Sequence, residues 1–479
     1  MLMRLSKNAF VRQYGKYTYV LSRISLYDEV FEDAEVFFRW LNRTPIDREV
    51  LLTRIIEAYQ GASEHDIRND FDEFFSALIA ERVVVVGETS EELDLSDESF
   101  SYDVENPKTM NVGAVSQQIS ADVETPQDVL KKYFEKHPTV FELQIDITQA
   151  CTERCVHCYI PDFNPTFLAT DTIKKVIDEF RDQGGLCLSF SGGECMLHPD
   201  FDEVLKYAWH KDLIVSILSN LTLCTDEKIQ LLHDVDATVQ TSLYSMCPDT
   251  HDAITNRPGS FMETMNAIKK LRKAQVPCII SCPTMKENYQ DYLDVLKFAR
   301  SIQMDVQTDF VIMGKKNCDK SNLVHRLDIE GCRKVLEDIV RNAVPVNSEY
   351  FDPKKKNDIR TAEEWMRDKP CGACMSSVCL DANGCYYPCP ALGGVVLGSC
   401  FEHDLNWIWR VSPETLRIRN ITGRDFPRCA VCEDRDYCST CMCRNFNETG
   451  NLFTPAPFFC EVAHANHEIV DEFQKERGK

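Results

Sequence analysis

Between residues 141 and 314 short apolar runs alternate with amphipathic ones, and this alternation constrains the fold more than any other feature of the chain. Strand candidates fall at residues 141–148, 186–191, 214–219, 238–243, 277–282 and 306–313. Helical stretches separate them. In the first, Ile173, Val176, Ile177 and Phe180 share one face, as residues spaced by three and four do on a helix. Strands that are each followed by a helix run parallel, with right-handed crossovers. Six such units predict an α/β fold, a partial (β/α)6 TIM barrel over residues 128–320. In that architecture the chemistry sits on loops at the C-terminal ends of the strands.

The loop after the first strand holds Cys151, Cys155 and Cys158, the first of 23 cysteines in 479 residues. Twelve of the others lie from Cys371 to Cys460. Residues 1–10 lack an apolar signal core and no apolar run is long enough to span a bilayer, so a cytoplasmic protein with no membrane span is expected. In a reducing cytosol, clustered cysteines bind metal or do chemistry more often than they pair. Three thiolates this close can hold three irons of a 4Fe-4S cluster and leave the fourth iron open to a small molecule. The alternative is a zinc knuckle with His157 as a ligand, although its adjacency to Cys158 is poor geometry for a shared tetrahedral ion. After the second strand, Gly192 and Gly193 let the backbone approach a ligand, and Glu194 can accept from an ammonium group. A net charge of -23 argues against nucleic acid, whose backbone it would repel.

Residues 1–87 read as a small winged-helix-like α+β domain. A strand pair turns at Gly15-Lys16, helical faces follow (Val36, Phe37, Trp40 and Leu41, then Phe71, Phe74, Phe75 and Leu78), and a last strand falls at residues 83–86. Residues 88–127 are expected to be an extended or disordered linker, because eight carboxylates and no Lys or Arg lie between Glu88 and Glu105. Beyond the barrel come a helical bridge (residues 321–369), a cysteine-rich domain (370–465) and a tail (466–479). Cys187, Cys278 and Cys282 fall in strands and read as small buried residues.

The spacing Cys-x3-Cys-x2-Cys directly after a first strand, with an aromatic ring at His157 before the last cysteine, resembles the radical S-adenosylmethionine (SAM) signature. The resemblance implies that the amino and carboxylate groups of SAM chelate the open iron. An electron then cleaves SAM to methionine and a 5′-deoxyadenosyl radical, which removes a hydrogen atom from the substrate. It makes Gly192, Gly193 and Glu194 candidates for the SAM amino group, Ser219 and Asn220 candidates for the ribose, and Ser242 a further cofactor contact. The run from His251 to Phe261 is similar to a segment of the peptide-modifying subgroup. From its residues alone it reads as a loop and helix cap, with Ser260 as the cap.

The C-terminal pattern of Cys371, Gly384, Cys389, Cys429, Cys432, Cys438, Cys441, Cys443 and Cys460 resembles the SPASM extension of these enzymes. It implies two auxiliary 4Fe-4S clusters and three clusters in all. Cys429, Cys432, Cys438 and Cys460 would hold one. Cys371 and Cys389, with a ligand from residues 441–443, would hold the other, with a partly open cluster as the alternative to a closed one. The next cysteine of the family pattern would fall on Met442, between Cys441 and Cys443, and Cys374 competes with Cys371. By spacing alone the CxxC pairs read as a zinc ribbon.

SPASM enzymes that modify ribosomally made peptides often begin with a winged-helix-like element, to which residues 1–87 are similar in size and order. The resemblance implies a radical SAM peptide maturase. Residues 1–87 would bind the leader of a precursor peptide by adding it as a strand to a sheet edge, and the linker would hold the core peptide near the barrel. An external donor such as flavodoxin or ferredoxin would supply electrons. The product is an intramolecular crosslink, with a cysteine thioether the first choice and a carbon–carbon or carbon–oxygen bond the next. The enzymatic alternative is a sulfatase-maturing, formylglycine-forming oxidase. Many of those carry an Asp after the cysteine matching Cys389, where this chain has Pro390. The non-enzymatic alternative is a zinc-stapled peptide-binding protein.

Overall fold

A computed structural model describes residues 1–59, 63–102, 125–345 and 361–477. The chain divides into two compact units, Met1–His137 and Pro138–Lys479.

The first unit opens with β1 (Leu2–Leu5), followed by an antiparallel meander of β2 (Ala9–Tyr14), β3 (Tyr17–Ser22) and β4 (Tyr27–Glu32). Tyr14 pairs with Tyr17, so Gly15-Lys16 is the turn expected from the sequence. Then come β5 (Ile46–Asp47), helices Arg48–Ala58 and Glu64–Ala80, and β6 (Val84–Gly87). β1 lies between β5 and β6, antiparallel to both. Ile67, Phe71, Phe75 and Leu78 form the buried stripe of the longer helix and meet Leu51, Leu52, Ile55, Met3 and Val84 in one core. Phe74 sits at the edge of that stripe, with its ring 5.1 Å from Phe31.

The acidic stretch departs from expectation. Ser90–Ser96 is a helix capped by Thr89, with Leu93 buried. Asp97 is buried too: its carboxylate accepts from Arg4 Nη1 and Ser6 Oγ, each at 2.6 Å, and from the Lys7 N–H at 2.9 Å. Local repulsion is overcome by a cation that the chain brings in from its first strand. Residues 103–124 of the expected linker lie outside the described residues. Helix Pro126–Lys136 belongs to the first unit, not to the barrel, because Tyr133 and Phe134 pack on Tyr14 and Tyr17.

The second unit is built on β7 (Glu142–Thr148), β8 (Cys187–Gly192), β9 (Ile214–Leu218), β10 (Thr238–Ser242), β11 (Cys278–Pro283) and β12 (Asp305–Asp309). They pair in parallel and in sequence order, each within a few residues of the sequence reading. Cys278 and Cys282 are buried within β11, whereas Cys187, at the start of β8, is half-buried. β7 and β12 are not paired, so the sheet stays open. Past β7 it continues with β13 (Ser377–Leu380), parallel to β7, and then antiparallel with β14 (Cys385–Tyr387) and β15 (Gly398–Ser399). The cysteine-rich region is therefore not a separate layer, since its first strand completes the sheet of the βα series. The expected tail is also helical: Pro457–Arg477 is one helix, with Ile469 and Val470 buried.

Asp97→Ala would strand Arg4 as a buried charge, although Asp94 also reaches it at 2.9 Å. Breaking such a pair costs about 3 kcal/mol. Denaturant unfolding of Met1–His137 should show that loss as a lower midpoint at unchanged slope.

Candidate functional site

Thr148 ends β7 and turns the following loop: its Oγ1 accepts the Ala150 N–H at 3.0 Å and donates to the Thr166 carbonyl at 2.8 Å. The loop after β8 lies directly on this backbone. The Gly193 N–H donates to the Thr148 carbonyl at 2.9 Å and the Glu194 N–H to that of Ala150 at 2.8 Å. A Cβ at Gly192 would collide with the Thr148 carbonyl oxygen, and one at Gly193 with that of Ala150. The paired glycines are needed first for backbone to meet backbone, a tighter demand than admitting a ligand.

The C-terminal ends of β7 to β10 enclose a cavity of about 180 Å³. Cys151, Cys155 and Cys158 border it, as do Gly192, Gly193, Ser219, Asn220 and Ser242. Of the sequence candidates for this site only Glu194 is missing from its wall. Glu194 is wholly buried, and its carboxylate accepts from the Met196 N–H at 3.0 Å, the Ser219 hydroxyl at 2.8 Å and the Asn220 N–H at 2.8 Å. Burial pushes this carboxyl up against the pull of those donors. The sequence gives Glu194 to a ligand ammonium; in the structure its carboxylate ties two loops, with the Asn220 N–H as the one donor to Oε2 among the described residues.

Asn220 reaches back to the cysteine loop, donating through Nδ2 to Thr152 Oγ1 at 2.9 Å and, more loosely, to Cys151 Sγ at 3.8 Å. His157, the ligand that a zinc knuckle would require, is engaged elsewhere: its Nε2 lies 3.1 Å from the Tyr244 hydroxyl, which reaches Cys155 Sγ at 3.7 Å. Burial lowers this imidazole to about 4, so it is neutral. Burial also pushes the Cys151 thiol up to about 12 and raises Cys155 and Cys158. Without a cation these thiols keep their protons, and iron binding must release them. Glu153, Gln240 and Tyr244 also line the cavity and were missed from sequence. Tyr244 stands just past the end of β10, where the strand-end rule points. At the neighbouring run the cap is Gly259, and Asp252, not Ser260, takes the free N–H groups of Gly259 and Phe261.

Two further cysteine groups lie in the C-terminal part. Cys429, Cys432, Cys438 and Cys460 wall a small cavity with Cys441. In the other group Cys389, Cys441 and Cys443 lie close enough to act on one another's thiols, and Cys371 is close enough to feel the charge of Cys389 and Cys441. Cys374 is buried at φ +60°, near Arg419. Among the described residues no three Cys, His, Asp or Glu side chains converge as a single ion requires. Among the described residues no helix is long and apolar enough to cross a membrane.

Residues 145–299 match the family model of the Radical SAM superfamily, so a radical SAM domain occupies the β7–β11 region. The AdoMet-dependent heme synthase of Methanosarcina barkeri is 25% identical over 65% of this chain and 94% of its own length. The antilisterial bacteriocin subtilosin biosynthesis protein AlbA of Bacillus subtilis is 30% identical over 34% of this chain and 38% of its own. Among solved structures, Streptococcus suis SuiB bound to precursor peptide SuiA shares the fold with a TM-score of 0.59 at 16% identity, covering 96% of this chain and 99% of that one.

Replacing Cys151, Cys155 or Cys158 with Ala should abolish formation of 5′-deoxyadenosine from SAM, because a second iron then lacks its thiolate. Gly193→Ala should act earlier, by displacing the Ala150 carbonyl and with it Cys151. Its iron content after anaerobic reconstitution should fall, and an unchanged content would detach cluster binding from this loop.

Proposed function

We propose that this radical SAM enzyme matures a ribosomally made precursor peptide, removing a hydrogen atom from one residue and closing an intramolecular crosslink, with a cysteine thioether the preferred product. The observation that carries the reading is the likeness of fold to SuiB, which extends over 96% of this chain; the heme synthase likeness is one of sequence and extends over 65%. SuiB is seen with a precursor peptide, and the AlbA name places that protein in bacteriocin biosynthesis. Both favour a peptide over a tetrapyrrole. Pro390 after Cys389 speaks against the sulfatase-maturing alternative, as it does in the sequence.

In this reading Cys151, Cys155 and Cys158 hold the SAM-binding 4Fe-4S cluster. Bound together, that cluster and SAM supply the chemistry that takes a hydrogen atom from the peptide. The chain supplies placement. The Gly192-Gly193 backbone, Ser219, Asn220 and Ser242 shape the wall against which the cofactor is oriented. Asn220 and Tyr244 hold the cysteine loop from two sides. Cys429, Cys432, Cys438 and Cys460 hold one auxiliary cluster, and Cys371, Cys389, Cys441 and Cys443 the other. Four thiols gathered at the latter favour a closed cluster suited to accepting an electron, and Cys374 stands aside. A flavodoxin or ferredoxin delivers electrons from outside.

The first unit fits leader recognition. Among the described residues β4 pairs with β3 alone, and the helix Glu64–Ala80 packs beside it through the contact of Phe31 with Phe74. A free strand edge beside a helix accepts an extended peptide through main-chain hydrogen bonds.

Met1–His137 has its own core and should bind the leader almost as tightly as the whole enzyme does. The probe is a short cysteine-containing peptide encoded beside the gene. Deleting the unit should weaken precursor binding and leave slow SAM cleavage intact. No leader binding by the unit, with full-rate peptide modification after its deletion, would remove the peptide reading's main support. Separately, a Cys151, Cys155 and Cys158 triple Ala variant should keep about eight of roughly twelve irons. Stoichiometric zinc without iron would overturn the auxiliary clusters.

A further inference from the structure

The cofactor cavity holds one buried polar atom that the fold leaves unused. Glu153 sits inside the cysteine loop, is 3% exposed and lines the cavity. Its Oε1 has no hydrogen-bond partner. Oε2 accepts only from the Cys155 thiol at 3.4 Å. A buried carboxylate with an oxygen left unmatched is costly, so this atom calls for a donor that the fold does not supply. No Lys or Arg lines this cavity among the described residues. Arg257, the cation that acts on Glu153 from nearby, is already engaged by Glu263 and the Thr152 carbonyl. Glu194 is absent from the cavity wall and ties its own loop to the next through three donors. SAM is a cation overall: it adds a sulfonium to an amino-acid end whose amino group still has N–H to donate when bound to iron.

We propose that Glu153, the carboxylate that lines the cavity, meets the sulfonium-bearing end of SAM, accepting from its amino group and offsetting the sulfonium charge. Such a residue favours SAM over S-adenosylhomocysteine, whose sulfur is neutral, because charge-assisted bonds in a dry site are the stronger ones.

The test uses full-length protein, reconstituted anaerobically as wild type, Glu153→Gln and Glu153→Asp. Iron content and visible absorbance are measured first, then the Kd of SAM and of S-adenosylhomocysteine by equilibrium dialysis. The Gln variant should keep its iron, bind SAM about tenfold more weakly and lose much of its preference for SAM over S-adenosylhomocysteine. The Asp variant should recover part of that preference. A Gln variant with wild-type SAM affinity, or with both ligands weakened equally, overturns the proposal. Loss of iron in both variants also overturns it, by assigning Glu153 to holding the loop.

Discussion

Glu194 is a carboxylate sealed from water, and a charge in that position persists only where donors surround it. Its donors come from two loops: Met196 from its own, and Ser219 and Asn220 from the end of the next strand. The same loop rests on the cysteine loop through the bare backbones of Gly192 and Gly193. Three strand ends are thus fastened to one another before any cofactor arrives. The cysteines inherit their positions from that fastening, and pre-positioned ligands are what a metal site needs to bind tightly and in one geometry.

Much of this was legible in the residues. Leu143, Ile145 and Ile147 of β7, Leu188 and Phe190 of β8, and Val215 and Ile217 of β9 are buried apolar residues at every second position, so these strands stand out from their surroundings. The first cysteine motif is just as readable, because all its spacing is local. What stayed hidden depends on partners far along the chain. Residues 90–97 looked like a repelling acidic run because Arg4, which anchors Asp97, lies at the other end of the module. β13 is short and sits among cysteines, and only its pairing with β7 reveals it as part of the sheet. At Glu194 the sequence shows the carboxylate and not the donors that Met196, Ser219 and Asn220 bring to it. Glu153 was passed over for the complementary reason, since nothing local marks it as buried and unmatched.

The bracketed Met442 has a plain geometric account. Helix Met442–Thr449 begins there, with Cys441 as its cap residue. Cys443 stands one step beyond Met442, so both flanking thiols are carried toward Cys389, while Met442 itself is buried away as an apolar side chain. Spacing rules counted along a chain shift by one where a helix start redirects the side chains, and the group of thiols can survive the shift.

The pairing of Ile145 with Leu380 sets an order of events during synthesis. β7 is made early, yet its outer edge has no partner until the ribosome has passed residue 380. Until then the nascent sheet presents an apolar strand with open main-chain groups, the kind of surface that neighbouring chains adhere to. Contacts this distant in sequence also form late, since the loop between them must first be closed. Translation that stops before the cysteine-rich region would leave a polypeptide with its cofactor loop complete and its sheet unfinished, and quality control would meet it as an aggregation-prone fragment rather than a smaller enzyme.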